Sequence, residues 1–283
     1  MYKPSLLFSG FAVIALAAAA QQGTTLRHEL KENATEVYKF KTLVNSQASS
    51  SAFDGDLKID SSMTVTLKMG KLDAASGQVA VDADVSDISA KADGSIAQYV
   101  DPMLDGLPKE MKVTGKLDAR NRFAMDPTKT QDAMITMVMG TSPTSSIAFV
   151  EFPDKPVNLG DTWTFPAPKN PIFGKEPQTL TAKFIGEKEF NGALVWCIDV
   201  TGKLKVDANM ADIMKGQESD QGVPNMTMKG TADVKGEAMI DKATGKTLQY
   251  TSTITQKTTM DMPDQGLTID NSGTINTTMT LQP

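Results

Sequence analysis

The sequence predicts a mainly β protein: a strongly curved antiparallel sheet in two related halves, packed together or sharing one extended sheet, with a few short capping helices. Three observations carry this reading. Apolar and polar residues alternate with period two over long stretches, the pattern of a strand with one packed and one wet face. Turn-forming Asp, Asn and Gly separate the alternating runs. Helical length and composition are confined to a few short stretches.

The first element is a leader. Lys3 precedes an apolar run at 6–20, and Gln21 and Gln22 follow. A positive start, a short apolar stretch and an Ala-x-Ala end are the parts of a secretory signal peptide. The run is short for a membrane span of about 20 residues. Residues 1–20 are therefore expected to be removed after Ala19 or Ala20, placing the protein in the periplasm or the medium. No cysteine stands at the junction, which argues against a lipid anchor.

The strands follow in order. Tyr38 and Phe40 alternate with Lys39 and Lys41. Met63, Val65, Leu67 and Met69 alternate with Thr64, Thr66 and Lys68. Val79, Val81, Ala83 and Val85 alternate with Ala80, Asp82 and Asp84. The longest run covers 226–240, and the glycines within it predict strong curvature or bulges. Residues 111–117 and 122–125 flank a turn started by Asp118. Residues 238–240 and 247–250 flank one started by Asp241. Asn191 and Gly192 make a turn before a strand at 193–200. A short helix broken near Pro102 is expected at 95–107. A second helix at 130–139 would end at Gly140, and the two would cap one open side. Residues 165–177 are proline-rich and irregular. The halves are expected at 21–146 and 147–283, the second carrying an insertion at 207–225 with a short helix at 208–214.

Composition excludes several function classes. Beyond Lys3 the chain holds 27 basic and 34 acidic residues, net −7. That mild acidity argues against nucleic acid and against a basic membrane-binding patch. Cys197 is alone, so no intramolecular disulfide forms, and its apolar strand setting reads as core. His28 is the only histidine, which removes multi-histidine metal sites. It reads as a solvated strand residue. No Gly-rich phosphate cradle and no Gly-x-Ser-x-Gly element is present. Asp82, Asp84 and Asp87 lack the pattern of a calcium loop and fit a wet strand face. No metal and no cofactor is expected. Trp163 and Trp196, in apolar strand contexts, are expected to be substantially buried.

Methionine is unusually common, with 17 in the chain. Met137 and Met139, Met226 and Met228, and Met260 and Met262 each place two thioethers on one side of a strand. Without His or Cys beside them, a deformable apolar lining fits better than copper.

Two resemblances add to this. Pro153, Pro156, Val157, Gly160, Asp161 and Trp163 resemble a Pro-x-x-Pro-Val-x-x-Gly-Asp-x-Trp element of uncharacterised secreted bacterial β-proteins. It implies a folding role, with Gly and Asp making a turn and Trp anchoring the next strand. More loosely, the whole resembles periplasmic lipoprotein-carrier half-barrels, in which a curved sheet wraps a greasy cavity plugged by helices.

The expected function is non-enzymatic: a secreted or periplasmic binding protein for a lipid or other apolar ligand. The expected lining is Met63, Val65, Leu67, Val79 and Val81 on the sheet, with Met134, Met137 and Met139 on a helical lid. The alternative is a structural or protein-interaction scaffold of the envelope, whose partner would be another envelope protein.

Overall fold

In the computed structural model, residues 23–125, 150–168, 171–174, 176–209 and 225–283 are described. The leader, the helix expected at 130–139 and most of the one expected at 208–214 lie outside them. Ala208 and Asn209, the first two positions of the latter, continue a strand instead.

Among the described residues, eleven strands form one open, curved antiparallel sheet. In chain order they are β1 (Thr35–Ser50), β2 (Asp54–Asp73), β3 (Gln78–Asp93), β4 (Met111–Asp118), β5 (Phe123–Met125), β6 (Thr162–Pro166), β7 (Thr179–Phe190), β8 (Ala193–Asn209), β9 (Thr227–Asp241), β10 (Thr247–Met262) and β11 (Leu267–Leu281). One helix, α1 (Ala97–Asp105), joins β3 to β4 and contains Pro102. None of the described helices is long and apolar enough to cross a membrane.

The spatial order is β5-β4-β3-β2-β1-β11-β10-β9-β8-β7-β6. Each strand pairs with its chain neighbour, except that β1 pairs with β11 where β5 and β6 might have met. The first and last described strands thus meet in the middle of the sheet. Residues 35–125 lie on one side of that seam and 162–281 on the other. The β1–β11 register runs from Tyr38 opposite Leu281 to Ser50 opposite Ile269.

Alternation decides the faces. The even positions of β1, the odd positions of β2 and β11, and the even positions of β8 and β9 all face inward. Register shifts between Met69 and Leu72, between Phe184 and Gly186, and between Thr247 and Gln249 let the sheet bend. Gly186 has φ +105°, and Leu159 Cδ1 lies 2.9 Å from where its Cβ would stand, so the bulge needs glycine.

The core occupies one end of the inner face, here termed proximal. Phe40, Met63, Val65, Leu67, Val79, Val81, Ile198, Ile240 and Met279 are all essentially without exposure. Two extended segments close this end. Leu26 and Phe152, from residues 23–30 and 150–158, are completely buried against it. They are paired through Thr24 and Val157, which exchange N–H···O bonds of 2.7 and 2.9 Å. The distal end, made by the later part of β1, β3 and β10 and the early part of β2 and β11, is half-buried on its inner face.

Candidate functional site

The segment at 23–30 is held by the two Asp-started turns. The His28 N–H donates to Ala119 O at 2.8 Å, in the turn between β4 and β5. The Glu29 N–H donates to Thr244 O at 2.6 Å, in the turn between β9 and β10. Each Asp builds its own turn: Asp118 Oδ1 accepts from the N–H of Arg120 and Arg122, and Asp241 Oδ1 from those of Ala243 and Thr244. The two turns thus grip one strand of chain between the halves. At Gly245 (φ +69°) a Cβ would stand 1.8 Å from Arg27 O, so only glycine admits that close approach.

His28 is 5 % exposed, which corrects the expectation of a solvated residue. Its Nδ1 lies 2.8 Å from Asn121 Oδ1 and its Nε2 lies 3.2 Å from Glu36 Oε1. Both ring nitrogens face acceptors, so the ring donates to both when it carries its second proton. Tyr38 donates to Glu36 Oε2 at 2.7 Å, and the Lys246 ammonium sits 3.0 Å from Glu36 Oε1. Burial alone would push the Glu36 carboxyl up. The hydrogen bond and charge of His28, with the bonds from Tyr38 and Lys246, outweigh it and hold the group at about 2. Burial and the neighbouring Glu36 carboxylate push the Tyr38 phenol well above its ordinary range. The cleft beside this network, between His28, Glu36, Tyr38 and Asn121, has room for about one water. That is space for solvent and not for a substrate. The network satisfies buried polar groups where four parts of the chain meet.

The other candidate is the inner face itself. Of the expected lining, Met63, Val65, Leu67, Val79 and Val81 stand together on β2 and β3, all at 2 % exposure or less. They belong to the proximal core, beneath Leu26 and Phe152. Met134, Met137 and Met139 lie outside the described residues. Alongside the core, strand register builds successive rows across the sheet, and at β8 the core reaches into them: Val206 is completely buried and Ala208 nearly so. One row holds Gly55, Ala48, Asn271, Thr258, Gly230 and Val206. Its distal neighbour holds Ser50, Ile269, Met260, Met228 and Ala208, so two methionine-bearing strands stand side by side there. No inner position of β8 to β11 carries a charge. α1 begins at this end: Ile96 Cγ2 would stand 2.4 Å from a Cβ on Gly55, and Ser95 and Asp56 exchange side-chain and backbone bonds. The surface combines apolar and small residues with a few amides and hydroxyls. Sequence reasoning missed Thr258 and Asn271 because each is an ordinary polar residue until register sets it opposite the other.

Other residues fall as follows. Cys197 is buried, as its setting predicts, but it faces the outer side with Val195 and Met239. Its Sγ lies 3.3 Å from Glu237 Oε2, and with Asp199 these groups lie within 4.8 Å of one another. Burial, then Glu237, pushes the thiol up to about 12, which keeps it protonated and unreactive. Trp163 and Trp196 are half-buried, less than expected, though both pack on the core. Trp163 stands on edge strand β6, and its indole N–H donates to Glu151 O at 2.7 Å. Gly160 (φ +88°) turns the chain into β6, and Asp161 Oδ2 accepts from the Asn158 N–H at 2.8 Å. Asp84, on the wet face, pairs with Lys68 at 2.6 Å.

No protein-family model matches the chain, and no curated protein matches it. Among solved structures, a lipovitellin structure described by its lipid–protein interactions aligns with 90 % of this chain at 10 % identity and a TM-score of 0.47. The chain spans about a quarter of that protein's length, 26 %. A putative exported protein with a YmcC-like fold from Bacteroides fragilis aligns over 88 % of this chain and 97 % of its own, at 8 % identity and a TM-score of 0.22. OccK7 (OpdD) of Pseudomonas aeruginosa aligns over 88 % and 100 %, at 6 % identity and 0.23.

Proposed function

We propose that this chain is a non-enzymatic binding protein, working in the periplasm or outside the cell, that holds a lipid or other apolar ligand on the distal half of its inner face. One observation carries the reading. On β1, β2, β10 and β11 the curved sheet continues past its packed core, and there most inner positions are uncharged and only half-buried, with Ile269, Met260 and Met262 among them. Strands that serve folding alone gain nothing from keeping exposed apolar side chains on such a face free of charge. Met228, Met260 and Met262 suit ligands of varied shape, because the thioether side chain repacks at little cost.

Titration with an environment-sensitive fatty-acid probe tests this. Saturable binding is expected, weakened about tenfold or more by Met260→Lys, which would bury a charge against the acyl chain. The fold should be unchanged by circular dichroism. A well-folded protein that binds none of a panel of lipids would overturn the reading and favour an envelope scaffold.

A further inference from the structure

On the distal inner face, β10 and β11 set Thr258 and Asn271 directly opposite each other. Thr258 is 6 % exposed and Asn271 is half-buried, yet Thr258 Oγ1 and Asn271 Oδ1 are both buried atoms without a hydrogen-bond partner. They are the two such side-chain atoms among the described residues. The contrast with the outer face is immediate: one position along, Thr259 Oγ1 donates to Asp270 Oδ1 at 2.7 Å. A buried polar atom left unpaired costs folding free energy, so two side by side need a reason.

The surroundings define the chemistry. Ala48 flanks Asn271 in register and Gly230 flanks Thr258. A Cβ on Gly230 would stand 2.1 Å from Lys257 O and 2.7 Å from Thr258 Cα, so β9 and β10 approach closely here and position 230 adds no side chain beside Thr258. Inner positions of these strands carry no cation to meet a carboxylate or phosphate and no carboxylate to meet an amine. The amide oxygen accepts only, while the threonine hydroxyl both donates and accepts. An uncharged hydroxyl can donate to Asn271 Oδ1 and accept from Thr258 Oγ1 at once.

We propose that Thr258 and Asn271 are the polar recognition point of the apolar face and that the ligand is a neutral, hydroxyl-bearing amphiphile such as a long-chain alcohol or monoacylglycerol. This rests on the reading given under Proposed function and narrows its ligand class. The bound hydroxyl completes a bonding pattern that the protein leaves open, and the alkyl chain lies along the methionine and isoleucine rows.

Displacement of a fluorescent lipid probe by three ligands of one chain length tests it: dodecan-1-ol, its methyl ether and dodecanoate at pH 8. The alcohol is expected to displace the probe about tenfold better than either; Asn271→Leu should remove that preference while the ether's affinity holds, and Thr258→Val should weaken alcohol and ether alike, since an ether oxygen can still accept from the hydroxyl. Ligand-free, both variants should melt higher by about 2–4 °C, since each replaces an unpaired polar atom with an apolar one. Equal displacement by all three ligands, or a melting temperature that falls in both variants, would overturn this inference and leave apolar binding standing. Failure of every ligand and of the probe to bind would overturn the underlying reading itself.

Discussion

Nε2 of His28 lies 3.2 Å from Oε1 of Glu36, and both side chains are almost wholly buried. This contact ties the segment that precedes β1 to the strand at the centre of the sheet. Its consequence is a pH-dependent fold. The Glu36 carboxyl sits at about 2 in the protein against an ordinary 4.5. A carboxyl held down in the folded state contributes stability that is fully present above about pH 4.5. That contribution is lost as pH falls through the window toward about 2. The shift corresponds to about 3 kcal/mol. Urea unfolding followed from pH 6 to pH 2.5 should show this loss, and Glu36→Gln should be less stable at pH 6 and show a flatter profile. An unchanged profile in the variant would contradict the account.

The grip on residues 23–30 predicts a second result. Gly245→Ala places a methyl where Arg27 O now stands, at a backbone conformation alanine avoids. The variant should lose several kcal/mol of stability, or release the segment. Limited proteolysis should then cut near 23–30 much faster than in the parent. Equal cutting rates with equal stability would contradict it.

Phe152 is fully buried between the two closing segments and the sheet. Phe152→Ala should cost about 3–5 kcal/mol, the usual scale for a buried aromatic. Chemical denaturation with an unchanged m-value would measure it.

Cys197 should be inert in the folded protein. With its thiol pushed up to about 12, it should resist iodoacetamide at pH 8 and react once the chain is unfolded. Rapid labelling of the native protein would mean the strand pairing of β8 with β9 is wrong.

The sheet was readable because its signals are local. Period-two runs around Met63, Val79 and Val234 mark β2, β3 and β9, and Asp118 and Asp241 mark the turns that end β4 and β9. The helix expected at 95–107 appears as α1 at Ala97–Asp105. What local signals cannot carry is partnership across the chain. His28 looked solvated beside Arg27 and Glu29, but its ring partner Asn121 is 93 residues away. The pairing of β1 with β11 joins residues more than 200 apart and leaves no mark near either strand. Apolar neighbours point to substantial burial of both tryptophans, whereas Trp163 is half-buried on β6, which among the described residues is an edge strand with no strand on its other side. Thr258 and Asn271 needed the register of two strands before they stood out.

The central claim is that the distal inner face carries an apolar ligand. Native mass spectrometry of the protein purified from its own host without detergent tests this most directly. The account predicts an added mass that organic extraction removes and fragmentation assigns to a lipid with a neutral hydroxylated head. A single peak at the bare protein mass, from a sample that also fails to take up added lipid, would contradict it.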